Sequence, residues 1–202
     1  MADVAVERGF LPFIDLAYQG FGDGLDADLY GTRKLASKVS DLVVTSSCSK
    51  NFGLYRDRVG CAMIIAKDSS AADVTKSHLT VAARVAYSMP PDHGAAMVAI
   101  IMTDPALRKM WEDELAEMRG RILGLRQQLA DKMAVITDSH DWDFIARHRG
   151  MFSLLCLDKN QTDTLINEHS IYIVNGGRIN IAGLKDDAQV TRFAECLAAV
   201  TR

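Results

Sequence analysis

The chain has 202 residues, a formal net charge of −3, and 49% hydrophobic against 24% charged residues, the make-up of an ordinary soluble globular protein with room for one substantial core or two modest ones. No basic surface dominates, which excludes nucleic acid and anionic membrane as expected partners. No apolar run approaches the roughly 18 residues of a membrane span, and the ADVAVERG after Met1 has neither a basic start nor an apolar h-region, so no secretory signal is read and a cytoplasmic location is expected.

The first half alternates short apolar runs with helix-like segments, the pattern of an α/β layer arrangement. FLPFIDLAY (Phe10 to Tyr18) reads as a buried strand ending in a loop, and DADLYGTRKLASKV (Asp26 to Val39) as a helix with an aspartate at its start. LVVTSS (Leu42 to Ser47) and GCAMIIA (Gly60 to Ala66) read as the next strands, separated by a loop that carries Lys50. A helix is predicted from about Ser70 to Val85.

The paired prolines in YSMPPDHG (Tyr87 to Gly94) forbid continuation of that helix, and a second one runs through AAMVAIIM. Asp104 as N-cap and Pro105 at the first helical position open a long helix. Its apolar residues, from Leu107 through Trp111, Leu115 and Ile122 to Leu129, recur at steps of three and four. Beyond it the pattern changes to α+β. GMFSLLCL, SIYIV and GRINIAG read as short strands, and DKNQTDTLINEH and DDAQVTRFAECLAAV as helices. The change places a boundary inside the long helix near Glu114, giving segments 1–114 and 115–202.

Cys48, Cys61, Cys156 and Cys196 show no C-x-x-C or Cys/His ligand spacing, so no metal site is expected. Cys61, Cys156 and Cys196 fall in apolar runs or helix-like faces and read as small core residues.

Chemistry concentrates in the first half. Asp15 falls at the carboxyl end of a strand, with Tyr18 three residues on; Lys50 lies just past the next strand, and Arg58 ends the same loop. Taken singly, these are a turn residue, an amphipathic core residue, a solvated charge and a surface ion-pair partner. Open α/β sheets bind ligands at the carboxyl ends of their strands, where all four can meet. Together they match the needs of pyridoxal phosphate. That cofactor takes a lysine amine for its Schiff base, a carboxylate for its pyridine nitrogen, a phenol for its phenolate oxygen, and cationic or hydroxyl donors such as Arg58, Ser47 and Ser49 for its phosphate.

FIDLAYQGFGDG, SSCSKNFGLYRDRVG, YSMPPDHGA and GRINIAGL, in this order, resemble the signature segments of the aspartate/aromatic amino acid aminotransferases, class I enzymes of pyridoxal-phosphate fold type I. The resemblance implies a partial α/β fold of that type: part of the large-domain sheet in 1–114 and the α+β small domain in 115–202. It implies that Lys50 forms the internal aldimine and shuttles the substrate Cα proton. Asp15 would pair with the pyridinium nitrogen and Tyr18 with the 3′ oxygen, while Ser47, Ser49 and Arg58 would sit at the phosphate. Arg178 matches the arginine that clamps the substrate α-carboxylate, and Phe152 an aromatic near the substrate. Arg84 matches an arginine that reaches into the partner subunit's site to bind a side-chain carboxylate, which implies a homodimer. The implied reaction is ping-pong transfer of an amino group from an aspartate or aromatic amino acid to a 2-oxo acid, with 2-oxoglutarate as the expected acceptor.

Met89 stands where the family usually has asparagine, placing an apolar side chain near Arg84 and pointing toward apolar donors. Cys48 replaces a residue that is often aromatic. Family members are roughly twice as long, and the segment without a counterpart here is the amino-terminal half. Two readings follow. The chain acts as an aminotransferase unit, alone or with a separately encoded amino-terminal half, or it is a catalytically inactive carboxyl-terminal fragment that needs that half for activity.

Overall fold

The computed structural model describes residues 1–201 and divides them into two compact units, Met1–Ala116 and Glu117 onward, with the division inside one long helix.

The first unit is built on a three-stranded sheet in the order β1 (Phe13–Leu16), β2 (Leu42–Ser47), β3 (Gly60–Ile65). β1 runs parallel to β2, which sets Asp15 opposite Thr45 and Leu16 opposite Ser46. β3 runs antiparallel to β2, with Ser47 opposite Gly60. Burial is confined to the middle strand, where Leu42 and Val44 are inaccessible. The strand read as buried between Phe10 and Tyr18 is instead an exposed edge: Phe13 keeps 67% of its surface open to solvent. An apolar run forms a strand wherever one neighbour takes its ladder bonds, but it is buried only if something also covers its faces.

Helix α1 (Ala2–Arg8) precedes the sheet, and α2 (Tyr30–Ala36) links β1 to β2. The predicted helix from Asp26 is shorter than expected and opens with a 3₁₀ turn over Ala27–Leu29. Its acidic residues are engaged elsewhere. Asp26 pairs with Arg33 at 2.7 Å and does not cap the helix. Asp28 turns back to accept from the amides of Gly20 (2.8 Å), Gly22 (3.0 Å) and Asp23 (2.8 Å). That carboxylate closes the loop following Tyr18, so Asp28→Ala should cost about 1–3 kcal/mol by removing the acceptor that ties three amides together. Urea unfolding measures the loss, and faster amide exchange at Gly20 and Gly22 locates it; an unchanged midpoint would refute the assignment.

Helix α3 (Ser69–Tyr87) is capped by Asp68, whose side chain accepts from the Ala71 amide at 2.8 Å. It ends at the proline pair, and α4 (His93–Thr103) follows. α5 (Pro105–Thr137) starts on Asp104, which accepts from the amides of Ala106 (2.8 Å) and Leu107 (3.0 Å). No residue of α3 is buried, and Val81 and Val85 are largely open to solvent.

The second unit pairs β4 (Phe152–Leu157) antiparallel to β5 (Gly176–Asn180), with Leu154 opposite Arg178 and a bulge between Leu154 and Leu157. The later turns of α5 and the short α6 (Phe144–Arg147) belong to the same unit, and α7 (Lys159–Asn167) packs against β5 and against α8 (Asp187–Thr201). The core draws Ile122, Leu129 and Met133 from α5, Leu165 from α7, and Val190 and Leu197 from α8, all inaccessible or nearly so. Ser170–Val174, read as a strand, has no ladder partner; Tyr172 and Val174 are exposed, and the run closes in a turn where the Gly177 amide donates to Val174 O. The cysteines also depart from expectation, since Cys61 and Cys156 are exposed and Cys196 half-buried. Cys156 lies on the open side of β4, whose alternation buries Ser153, Leu155 and Leu157 instead. Among the described residues no helix is long and apolar enough to cross a membrane.

Candidate active site

Parallel pairing of β1 and β2 brings their carboxyl ends to one edge of the first unit's sheet. Asp15 emerges there with an exposed carboxylate that has no hydrogen bond or ion pair among the described residues. The loops beyond the two strands then meet: the Lys50 amine lies over the Tyr18 ring, 4.6 Å from its centroid. Lys50 is half-buried and makes no hydrogen bond or ion pair among the described residues. An aromatic face attracts the cation without consuming its donors, so the amine is held yet stays available to a ligand.

The Lys50 loop is held from three directions. The Trp111 indole of α5 donates to Asn51 O at 2.7 Å and stacks on Phe52, ring centroids 4.4 Å apart. Asn51 is buried, and its amide nitrogen donates to Gln19 O at 3.4 Å, tying this loop to the one after Tyr18. Gly94 at the start of α4 approaches so closely that a side chain there would collide with Val59 and Asp57. His93 adds a 3.2 Å contact to Asp57.

Where β2 turns toward β3, Ser47, Ser49 and Arg58 line a hollow of about 340 Å³ together with Gly60. Ser49 is buried and its amide donates to Ser47 Oγ at 3.1 Å. Arg58 is held at φ 53°, a backbone region that a non-glycine residue seldom enters, and its guanidinium donates to Tyr55 O at 2.9 Å. The hollow combines hydroxyls with a forked cation, a donor set suited to a phosphate. Cys48, beside it, is not an activated thiol: burial pushes its pKa up, and Cys61 adds to the shift.

In the second unit, cross-strand pairing places Arg178 beside Phe152 on the open face of the ribbon, the guanidinium carbon 5.3 Å from the ring centroid. Arg178 borders a concavity of about 520 Å³ that Tyr172, Val174 and Arg192 also line. Arg84 is exposed near the end of α3, with Met89 in the open turn beyond it. Among the described residues no group of three or more His, Cys, Asp or Glu side chains is placed to hold a metal ion.

The sequence motifs do not single out Asp28, Asn51 and Trp111, which hold the two loops. Asp28 was hidden inside a helical pattern and Trp111 inside an apolar stripe. The clue for Asn51 was adjacency alone, a polar residue between Lys50 and Phe52.

Known proteins resemble the chain along almost its whole length. It is 43% identical over 187 residues to the aromatic-amino-acid aminotransferase of Paracoccus denitrificans, covering 93% of this chain and 48% of that protein. It is 42% identical over 200 residues to the aspartate aminotransferase of Escherichia coli, covering 99% of this chain and 50% of that protein. Its structure superposes on the aromatic-amino-acid aminotransferase of Burkholderia pseudomallei covalently bound to pyridoxal phosphate with a TM-score of 0.94 at 39% identity, covering 100% of this chain and 50% of that one. The chain therefore spans about half the length of the curated relatives it matches. The pattern of aminotransferase class I and II matches residues 1–197, and with the α/β sheet and the Lys50 loop in place the chain belongs to that family as a partial fold.

Proposed function

We propose that the chain takes part in amino-group transfer from an aspartate or aromatic amino acid to a 2-oxo acid, with 2-oxoglutarate as acceptor and pyridoxal phosphate as cofactor. One observation carries this reading: a lysine amine that has no polar partner among the described residues rests against Tyr18 at the sheet edge where Asp15 emerges. The residues present fit the cofactor, because amine, carboxylate and a hollow lined by hydroxyls and a guanidinium belong to one unit. Bound there, pyridoxal phosphate supplies a sink for the electron pair left at the substrate Cα.

The protein's own groups would then divide the work. Lys50 would hold the cofactor through its amine and would move the proton at the substrate Cα. Asp15 keeps a proton on the pyridine nitrogen, and Tyr18 donates to the phenolate oxygen. Ser47, Ser49 and Arg58 hold the phosphate. Arg178 binds the α-carboxylate as a bidentate fork, with Phe152 against it, and Arg84 serves a side-chain carboxylate across a homodimer. In this reading 1–114 is part of the cofactor-binding large domain and 115–202 the small domain.

A second reading is supported by exposure: Phe13, Met63 and Ile65 on the sheet and most of α3, including Val74, Val81 and Val85, lack cover. In it the chain needs an amino-terminal half before it turns over. The two are separated by assaying the purified chain with pyridoxal phosphate, 2-oxoglutarate and aspartate, tyrosine or phenylalanine in turn, alone and mixed with a relative's amino-terminal half. Transfer by the chain alone supports a unit that acts by itself, and transfer only in the mixture supports dependence on an amino-terminal half, whether as a separately encoded partner or as the missing part of a fragment. No transfer and no visible absorbance in either would overturn both. Strong preference for aspartate would count against the apolar bias inferred from Met89.

Arg58→Ala should weaken cofactor binding about 10- to 100-fold, the loss expected from a charge-assisted hydrogen bond worth about 1.5–3 kcal/mol. A spectroscopic titration with pyridoxal phosphate measures it, and an unchanged midpoint would remove Arg58 from the phosphate site.

A further inference from the structure

The second unit holds a cation that none of the chemistry above uses. Arg126 of α5 is 0% exposed. It shares the buried face of the helix with Ile122, Leu125, Leu129 and Met133, and no carboxylate pairs with it among the described residues. Its nitrogens address a single short segment. Nη1 donates to Ile145 O (3.1 Å) and Ser153 Oγ (2.5 Å), and Nη2 to Gly150 O (2.7 Å) and Phe152 O (2.8 Å). Nε has no acceptor among the described residues. Burial lowers the guanidinium pKa, and the like charge of Arg149 adds to this.

Burying a charge with no counter-ion is costly even when it is hydrogen-bonded, a cost that an apolar side chain packed on the same face does not carry. Support of the core alone therefore gives little reason for a guanidinium here. The choice of acceptors gives a better one. Gly150 O and Phe152 O flank Met151, whose own carbonyl accepts from the Ile181 amide at 2.8 Å. The start of β4 is thus held by Arg126 and, separately, by the chain end of β5. Ser153 lies on the buried side of β4 and the Phe152 ring on the open side, beside Arg178. Holding both residues sets the position and tilt of the strand that presents the ring.

We propose that Arg126 is a positioning residue for Arg178: by gripping Gly150 O, Phe152 O and Ser153 Oγ it fixes the Phe152 ring against the Arg178 guanidinium and so sets the carboxylate-binding geometry. The proposal rests on the reading of Arg178 as the carboxylate residue, and its test separates the two. The Arg178 Nε–Hε resonance, assigned by its loss in Arg178→Lys, reports the ring directly, since an aromatic face shifts it and Phe152→Leu abolishes the shift. In Arg126→Lys, which keeps the charge but cannot span the four acceptors, the ring shift should collapse. Binding of 3-phenylpropionate, followed at the same resonance, should weaken roughly 2- to 5-fold, the loss expected when the ring no longer faces the guanidinium. A folded Arg126→Lys with an unchanged Arg178 shift overturns the proposal.

If that variant does not fold, Ser153→Ala and Ser153→Thr decide the matter. The alanine removes one acceptor and should reduce the shift, while the threonine keeps the hydroxyl and should restore it; an unchanged shift in the alanine variant overturns the proposal. Wild-type protein whose ring-shifted Arg178 signal does not respond to 3-phenylpropionate overturns the carboxylate reading, and in that case the shift in Arg126→Lys still scores the positioning contact.

Discussion

Borohydride reduction in the presence of pyridoxal phosphate is expected to label Lys50 in the wild-type chain and to fall to the background of the other lysines in Lys50→Ala. Two features make Lys50 the preferred amine. It is half-buried over the Tyr18 ring with no polar partner among the described residues to compete for its lone pair, whereas Lys109 and Lys159 are engaged by carboxylates one helical turn away. Peptide mapping of the reduced adduct decides the matter, and equal labelling of both proteins would remove Lys50 from the proposed role. Where transfer can be measured, the same variant should lose about 10²–10⁴-fold in rate from proton transfer alone, and more if the covalent attachment is also limiting. Tyr18→Leu should keep the label and reduce its rate of formation, because it removes the ring that holds the amine and not the amine itself.

Arg178→Ala is expected to weaken binding of amino acids and their carboxylate analogues by about 2–5 kcal/mol, the cost of deleting one partner of a hydrogen-bonded charge pair. Arg178→Lys should recover part of this, since a point charge remains but the bidentate fork is lost. The effect should appear in both KM and kcat/KM, because the carboxylate is held in the ground state as well as during proton removal. Phe152→Leu should cost less, about 0.5–1 kcal/mol for a cation–π contact at an exposed site. If Arg178→Ala bound the analogues as tightly as wild type, the carboxylate assignment would fail whatever the fate of Lys50.

Much of the architecture was legible in local pattern. β2 has the bounds read from LVVTSS, the proline pair separates α3 from α4, and Asp104 with Pro105 starts α5, because each depends on bonds made within a few residues. The α/β character follows from the same runs, and family membership from the order of the motifs. Partnership was harder to see. Ser170–Val174 has the composition of a strand, but only a neighbour could have made it one. Phe10–Tyr18 has the composition of a core, but only a covering layer could have buried it. Asp28 looked like a helix residue because nothing within the helix reveals the three amides across the loop.

Arg126 marks the division most plainly. The apolar period that runs through Ile122 and Leu129 was legible in the sequence, but the burial of Arg126 between them is shown only by the structure. What it meets there was not legible either, since its four acceptors lie 19 to 27 residues away, in a loop and strand whose approach depends on the whole unit. The amino-acid sequence by itself determined which chemical groups this protein has and where its backbone can turn, because those are properties of residues and their near neighbours. Only the tertiary structure decided which groups meet, because burial and hydrogen bonding are settled by segments that the chain brings together from a distance.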